Sequence, residues 1–183
     1  MPLDNLEEPF EVFDLDGTLL GVFPRGQVHR EGLLHRAVHV AVIDVDGALL
    51  AQQRSAHKDL CPGLWDVSLG EHLAPGETFH AAAVRGLAEE LGLHNLALTP
   101  IGTPVRRHYR EPGRHDFEEQ MLFSCTCPSG VDIEADTDEV QATRWLSVSD
   151  LEIWVDAQPA AFTPWCRHHL PRLLAAQRSS DGC

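Results

Sequence analysis

Residues 70–93 read GEHLAPGETFHAAAVRGLAEELGL, and this stretch decides the fold of the chain. Residues 78–91 predict an amphipathic helix, because Val84, Leu87 and Leu91 recur at intervals of three and four residues and form an apolar stripe. Gly92 follows in the position of a C-terminal helix cap. The stretch therefore predicts a loop that leads into a helix with one face packed on a core.

The same helix carries charged side chains in an arrangement that suits a cation. Glu89 and Glu90 are adjacent, so they diverge by about 100° around the helix axis and can embrace one metal ion. Arg85 lies one turn before Glu89 and can also reach Glu77 at the helix N-terminus, where the dipole favours a carboxylate. By themselves these positions allow either a metal site, with Arg85 and Glu77 as its structural support, or a solvated helix face.

Outward from this helix, hydrophobic alternation and turn residues predict the remaining elements. We expect strands near residues 38–44, 48–54, 65–69, 97–106, 119–127 and 143–146, and helices near 149–155 and 162–177. One domain of class α/β follows, with a mixed β-sheet between helices in an α/β/α sandwich. Its predicted parts are an N-terminal hairpin extension at 1–34, the main domain at 35–178 and a flexible tail at 179–183.

The segment FDLDGTLL at 13–20 suggests a second interpretation, because DxDGT is the nucleophile motif of haloacid-dehalogenase-type phosphatases. The pattern nearly repeats as IDVDGALLA at 43–51, and Asp-Gly is a frequent turn of β-hairpins. The chain has one lysine, Lys58, and no downstream paired-aspartate motif. We therefore interpret Asp14 and Asp16 as turn residues.

Composition limits the partners that this chain can have. With 14 Lys and Arg against 28 Asp and Glu, the net charge of −14 repels nucleic acids and anionic membranes. No apolar run reaches the roughly 18 residues of a membrane span. An odd number of cysteines, five, without a secretory leader predicts reduced thiols and a cytoplasmic location. We expect a small-molecule partner, no nucleic-acid or membrane partner and possible homodimerisation.

The loop and helix resemble the Nudix family. Its box runs Gly, five residues, Glu, seven residues, then Arg-Glu-apolar-x-Glu-Glu-x-Gly-apolar, and this chain matches it at Glu77, Arg85, Leu87, Glu89, Glu90, Gly92 and Leu93. Two positions depart: Glu71 replaces the first Gly, and Gly86 replaces the Glu that in many members is a metal ligand or general base. The resemblance implies the Nudix fold, a diphosphate substrate and Mg2+ or Mn2+ as cofactor.

Four further segments resemble type I isopentenyl-diphosphate isomerase, a Nudix-fold enzyme: LHRAVHV, QRSAHKDLCPGLWDVSLGEH, DEVQATRW and AFTPWC. This resemblance implies metal binding by His35 and His72 together with Glu89, Glu90 and Glu119, with Glu119 and Glu90 as catalytic residues. It also implies substrate binding by Arg54, Lys58, Tyr109 and Trp165.

Gly70 falls where that isomerase carries its catalytic cysteine, and the nearest thiol, Cys61, lies before a turn. We therefore expect hydrolysis of a diphosphate linkage in a nucleoside diphosphate derivative or a similar small organic diphosphate. With Gly86 in the box, the general base is expected to be Glu119, with Glu118 or Glu71 as substitutes. The alternatives are an isopentenyl-diphosphate isomerase with a relocated thiol and an inactive diphosphate-binding module.

Three weaker expectations concern basic residues. The Arg- and His-rich segment 106–115 is predicted to be a specificity loop that contacts substrate. His39 is expected to be a strand residue and not a ligand. His168 and His169 are expected to face solvent.

Overall fold

A computed structural model describes residues 5–58, 60–111 and 114–180. Its strands are β1 (Pro9–Phe13), β2 (Leu19–Pro24), β3 (Leu34–Asp44), β4 (Ala48–Arg54), β5 (Trp65–Asp66), β6 (Leu69–His72), β7 (Leu98–Pro100), β8 (Val105–Glu111), β9 (Arg114–Cys127) and β10 (Val140–Ser147). The α-helices are α1 (Arg25–Glu31), α2 (Phe79–Leu91), α3 (Val148–Ala157) and α4 (Pro164–Ser180), and a short 3-10 helix spans Pro159–Ala161.

Strand β3 is the centre of a mixed, open sheet. It pairs in parallel with β9 from Leu34↔Phe117 to Asp44↔Cys127, and β6 lies antiparallel beside its first half. The order β10-β4-β3-β1-β2 continues the sheet on the other side, while β7 and β8 pair with β9. Strands β1, β6 and β9 therefore all pair with the first half of β3.

Helices cover both faces of this sheet, as predicted. Helix α2 packs on one face, over a core that includes Val38, Val40 and Phe123. Helices α3 and α4 pack on the other face, over a core that includes Ala41 and Leu122. Successive strand residues point to opposite faces, so even-numbered residues of β3 face α2 and odd-numbered ones face α4. The expected α/β/α sandwich is confirmed.

Local signals placed the ends of α2 correctly. Thr78 caps its N-terminus with its side-chain oxygen, and Gly92 ends it with φ 67°, a left-handed conformation that glycine adopts without strain. The predicted stripe is wrong at Val84, which is 43% exposed, whereas Leu87 and Leu91 are buried as expected.

The two Asp-Gly segments form turns. The Asp14 carboxylate accepts hydrogen bonds from the backbone N–H groups of Asp16 and Thr18, at 2.9 and 2.8 Å. Asp44 does the same at the second turn, where its carboxylate accepts from Asp46 and Ala48. Both aspartates hold a tight turn with their own side chains, so the turn interpretation is confirmed.

Other boundaries differ from expectation. The predicted strand 97–106 divides into β7 and the start of β8, and the predicted loop 106–115 is mostly the β8–β9 hairpin. Helix α1 was not predicted, and β1 joins the main sheet through Phe13↔Leu34. Helix α4 runs through Pro171 to Ser180, so only 181–183 of the predicted tail remain, outside the described residues. Among the described helices, none has the length and apolar character needed to span a membrane.

Candidate active site

A cavity of about 660 Å³ opens at the beginning of β3, on the face that α4 covers and at the neighbouring end of α2. Several residues expected from the sequence line it together: Arg54, Lys58, His72, Glu90 and Trp165. The volume suits a small organic ligand, and the lining carries both carboxylates and cations. This is the arrangement expected of a site that holds a metal ion and an anion together.

Histidines and carboxylates gather at one side of the cavity, where His72, Asp116 and Glu118 line it, whereas His29 and His35 are not among its described lining residues. His35 of β3 and His72 of β6 come together because these strands are antiparallel, with Ala37 opposite His72. His29 joins them from α1 and Asp116 from β9, and one ligand atom of each of these four side chains lies within 4.8 Å of the others. We call His29, His35, His72 and Asp116 the histidine cluster.

The chemistry of the histidine cluster fits a divalent metal. Burial lowers the pKa of His29 to about 2 and that of His72 to about 3, so both imidazoles are neutral and can donate a lone pair. Within the described part of the chain, neither ring nitrogen of His29 has a hydrogen-bond partner. The Nε2 atoms of His35 and His72 face carboxylate oxygens, with Asp116 3.5 Å from His35 and Glu118 3.2 Å from His72. Imidazole and carboxylate donors together suit an ion such as Mn2+ better than Mg2+, which prefers oxygen.

Glu118, and not Glu119, belongs beside this cluster. In the parallel β3–β9 pair, His35 lies opposite Glu118 and Arg36 lies opposite Glu119. Glu118 is buried, with Oε1 3.2 Å from His72 Nε2. Glu119 points to the opposite face of the sheet, where Arg36 and Arg106 donate to its carboxylate at 3.1 and 3.2 Å. The expected placement of Glu119 in the site is therefore corrected to Glu118.

Two more carboxylates, one from α2 and one from β6, line the cavity. Glu90 of α2 is only 8% exposed, and Glu71 of β6 points towards the same helix. Burial, together with the charges of Glu71 and Glu139, raises the pKa of Glu90 well above its usual value. Burial likewise raises the pKa of Glu71 to about 7, against the opposing charge of Arg85. A cation between them would relieve this cost, so the pair fits a metal ion.

Gly86 makes room for Glu71. A Cβ added at position 86 would lie 2.9 Å from Leu69 Cδ2 and 3.2 Å from Glu71 Cβ and Cγ. A side chain at position 86 would therefore require Leu69 and Glu71 to shift from their present places. A carboxylate from β6 occupies the space beside the helix residue that departs from the family box.

Arg85 joins the helix to the loop before it. Its Nε and Nη2 donate to the two carboxylate oxygens of Glu77 at 3.0 and 2.9 Å, and Nη2 also donates to the backbone oxygen of His72. Glu89 accepts from Arg85 at 3.2 Å, and its side chain is 61% exposed at the rim of the cavity. Arg85 and Glu77 thus lie where structural support was expected, whereas Glu89 is less central than Glu90.

The residues expected to bind substrate divide into two groups. Arg54 and Lys58 line the cavity; Arg54 lies 5.4 Å from the Trp165 ring, and Lys58 Nζ lies 2.6 Å from Glu139. Trp165 lines it too, held by a hydrogen bond from its Nε1 to the buried Asp66. Tyr109 packs edge-on against Trp165 with ring centroids 5.7 Å apart, but it is not among the described lining residues.

The Arg- and His-rich segment does not reach the cavity, since none of its described side chains lines it. Arg106 pairs with Glu119, and the Arg107 Nε lies 2.9 Å from the His168 ring. Residues 112 and 113 lie outside the described residues. The specificity role predicted for 106–115 thus has no contact to support it.

Sequence reasoning missed His29 and Asp116. Helix α1 is too short for a readable period, so nothing marked His29. Asp116 had a signal: Asp116, Glu118 and Gln120 are polar at every second position, and apolar Phe117 and Met121 occupy two of the odd-numbered positions, which suits a strand with one polar face. Reading that alternation through 116 would have put Asp116 and Glu118 together on one face.

The histidine cluster leads to a prediction about metal affinity. His72→Ala removes a central donor, so we expect affinity for Mn2+ to fall by roughly 10- to 100-fold or more. Calorimetric titration of the metal-free protein with Mn2+ measures this. His57→Ala is the matched control, because His57 is exposed and outside the cluster. Equal affinities in the two variants would exclude His72 as a ligand.

Comparison with known proteins adds an independent line of evidence. The family model described as "NUDIX domain" matches residues 33–166. The isopentenyl-diphosphate Delta-isomerase of Nocardia farcinica is 37% identical over 179 residues, covering 95% of this chain and 99% of that protein. Nudix hydrolase 3 of Arabidopsis thaliana is 34% identical over 169 residues, which are 87% of this chain but 22% of that protein. The crystal structure of DR0079 from Deinococcus radiodurans shares the fold, with TM-score 0.72, 20% identity and coverage of 90% and 98% of the two chains.

Proposed function

This chain belongs to the NUDIX domain family, and on that footing we propose that it is a metal-dependent hydrolase of a small organic diphosphate. One observation carries the proposal: the carboxylates Glu71 and Glu90 line the same cavity as the cations Arg54 and Lys58. Carboxylates that hold a divalent ion and cations that hold phosphate oxygens are the two requirements for binding a metal diphosphate.

The two halves of the cavity divide the work. Arg54 and Lys58 would bind the terminal phosphate oxygens, and Glu90, beside Glu71, would hold Mg2+. The histidine cluster and Glu118 would hold a second divalent ion, for which Mn2+ fits the donors. Bound metal supplies neutralisation of phosphate charge and acidification of water. Arg85 and Glu77 keep the loop and helix in position around it.

Hydrolysis then requires a base that orients one water molecule. Glu71 occupies the space beside Gly86, so it takes over the task that a helix glutamate has in the family box. Water attacks phosphorus, the phosphorus–oxygen bond to the leaving phosphate or phosphate ester breaks, and Glu71 accepts the proton from water. Glu119, the base expected from the sequence, is not proposed again because it lies on the opposite face of the sheet.

A second candidate, isomerisation of isopentenyl diphosphate, is favoured by the histidine cluster and by the relative in Nocardia farcinica that carries that name. Against it, no cysteine is found among the described residues that line the cavity. Moving a double bond requires an acid and a base on opposite sides of the carbon chain, and the chain offers no thiol for this purpose there.

Product analysis separates these candidates. The purified protein is incubated with nucleoside diphosphates, nucleoside triphosphates, nucleotide sugars, dinucleotides and isopentenyl diphosphate, with and without Mg2+ or Mn2+, in deuterated water. We expect metal-dependent release of phosphate or a nucleotide and no deuterium on carbon. Deuterium in a recovered C5 diphosphate would support the isomerase. Tight binding without any turnover would support an inactive binding module.

A further inference from the structure

His39 is a buried imidazole directed into the cavity and has no role in the proposed reaction. It lies on β3, on the same face as His35 and Ala37, and it is 3% exposed. It lines the cavity together with Gly70, Leu60 and Trp165. In the described part of the chain, neither of its ring nitrogens has a hydrogen-bond partner. Buried polar groups normally find partners, so an unpaired ring that faces a cavity points to a ligand.

Gly70 uncovers this ring. It lies opposite His39 in the β3–β6 pair. A Cβ added to Gly70 would lie 3.2 Å from Nδ1 and 3.4 Å from Cε1 of His39. Any larger residue at position 70 would therefore cover the edge of the imidazole that carries Nδ1. With glycine, no side chain from position 70 stands against that nitrogen at the edge of the cavity.

Aromatic neighbours hold the ring in place. His169 of α4 lies behind it, with ring centroids 4.6 Å apart and an interplanar angle of 50°, and Trp165 lies 6.4 Å away. His169 is fully buried, which corrects the expectation that it faces solvent. Its Nδ1 lies 3.4 Å from Nη1 of Arg172, which follows it by about one turn on the same helix. His39 is thus positioned by packing, while neither of its ring nitrogens has a hydrogen-bond partner among the described residues.

The charge state of His39 suits a neutral contact. Burial lowers its pKa to about 4, so at neutral pH the ring has one N–H donor and one acceptor nitrogen. Such a ring can bond a hydroxyl, a carbonyl or a ring nitrogen. A hydrocarbon placed against it would leave the nitrogens both desolvated and unpaired, which is unfavourable.

We propose that His39 hydrogen-bonds a polar group on the organic part of the substrate, so that the preferred diphosphate carries a hydroxyl, carbonyl or ring nitrogen there. This inference rests on the proposed diphosphate substrate and narrows its class. Sites built to bond a polar group reject analogues that lack it far more strongly than apolar pockets reject an added polar group. His39 is therefore a specificity residue, and Gly70 supports this role because it places no side chain against the His39 ring.

Matched compounds test the inference. The probes are 3-methylbutyl diphosphate and its analogues with one hydroxyl at successive carbons, used with the metal-loaded enzyme. Both kcat/KM and the dissociation constant are measured for each. At least one hydroxylated analogue is expected to have a kcat/KM about tenfold or more above that of the hydrocarbon and a dissociation constant about tenfold or more below it. His39→Leu is expected to reverse this order, lowering kcat/KM for the hydroxylated compound and raising it for the hydrocarbon.

Two further variants make the result unambiguous. Gly70→Ala places a methyl group against His39 and is expected to reduce the preference for the hydroxyl, which tests the same contact without removing the imidazole. His57→Leu, at an exposed histidine, is expected to keep the wild-type preference. A wild-type preference for the hydrocarbon, or an equal change for both compounds in His39→Leu, would overturn the inference. If no compound is turned over, the proposed hydrolysis fails, while the ratio of dissociation constants still decides the role of His39.

Discussion

Glu90→Gln is expected to lower metal-dependent turnover by at least about 100-fold, the largest effect of any single substitution in α2. Glutamine keeps the shape of the side chain but removes the negative charge that would hold Mg2+ in the proposed reaction. Because Glu90 is buried in the cavity, water cannot easily replace it as a ligand. The measurement is the initial rate of phosphate release over a titration with Mg2+, where the variant should show no saturating activation.

The neighbouring Glu89→Gln is the matched control. Glu89 has the same chemistry one residue away, but its side chain is 61% exposed and pairs with Arg85. We expect its rate to stay within about threefold of wild type, because exposed ion pairs contribute little. A reversed order, with Glu89→Gln inactive and Glu90→Gln active, would reassign the metal to the rim of the cavity.

Unfolding measurements test whether Glu90→Gln loses activity because it is less stable. The pKa of Glu90 in the folded protein lies well above its unfolded value, so its ionisation opposes folding as the pH rises above the unfolded pKa. Removing the carboxyl therefore should not lower the melting temperature of the metal-free protein at pH 7, and should raise it. An inactive variant with unchanged or higher stability places the loss in the chemistry.

Glu118→Gln is expected to lower turnover by roughly 100-fold or more, because it removes a buried negative charge from beside the histidine cluster. Glu118 Oε1 lies 3.2 Å from His72 Nε2 and 3.7 Å from His35 Nε2. Its loss leaves the cluster with Asp116 as its carboxylate. Affinity for Mn2+ and kcat should therefore fall together, which calorimetry and steady-state kinetics measure on the same preparation.

Glu119→Gln provides the comparison from the other face of the sheet. Glu119 binds Arg36 and Arg106 and does not line the cavity. We expect it to change kcat by less than about twofold and to leave Mn2+ affinity unaltered, with at most a small change in stability. Equal losses of activity in Glu118→Gln and Glu119→Gln would mean that both substitutions disturb the folding of β9. The position of Glu118 in the cavity would then not explain its effect.

The parts of the fold that depend on neighbouring residues could be predicted from the sequence. The ends of α2 follow from Thr78 and Gly92, and the Asp14 turn follows from bonds within five residues. Parts that depend on pairing between distant segments could not. Moving one residue along a strand exchanges its faces, so an uncertainty of one position was enough to select Glu119 in place of Glu118.

The same reasoning explains the errors at the candidate site. His169 lies on a helix whose buried face depends on where α4 meets the sheet, which the sequence does not state. His29 lies on α1, a seven-residue helix without an apolar repeat. Conversely, the spacing of Arg85 and Glu89 predicted their ion pair, because a helix places residues four apart one turn from each other, and the expected contact of Arg85 with Glu77 is present too.

The residues at positions 71 and 86 depend on each other, because their side chains would occupy the same space. Restoring a glutamate at position 86 alone would force it against Leu69 and Glu71, whereas replacing Glu71 alone would leave the helix with neither carboxylate. Each single step between this arrangement and a helix-borne glutamate is therefore disfavoured, although the two end states are each self-consistent. A comparison of the motif position by position finds two departures, Glu71 and Gly86. In the folded chain the two belong together, since the carboxylate lies on the strand that faces the helix and not on the helix itself.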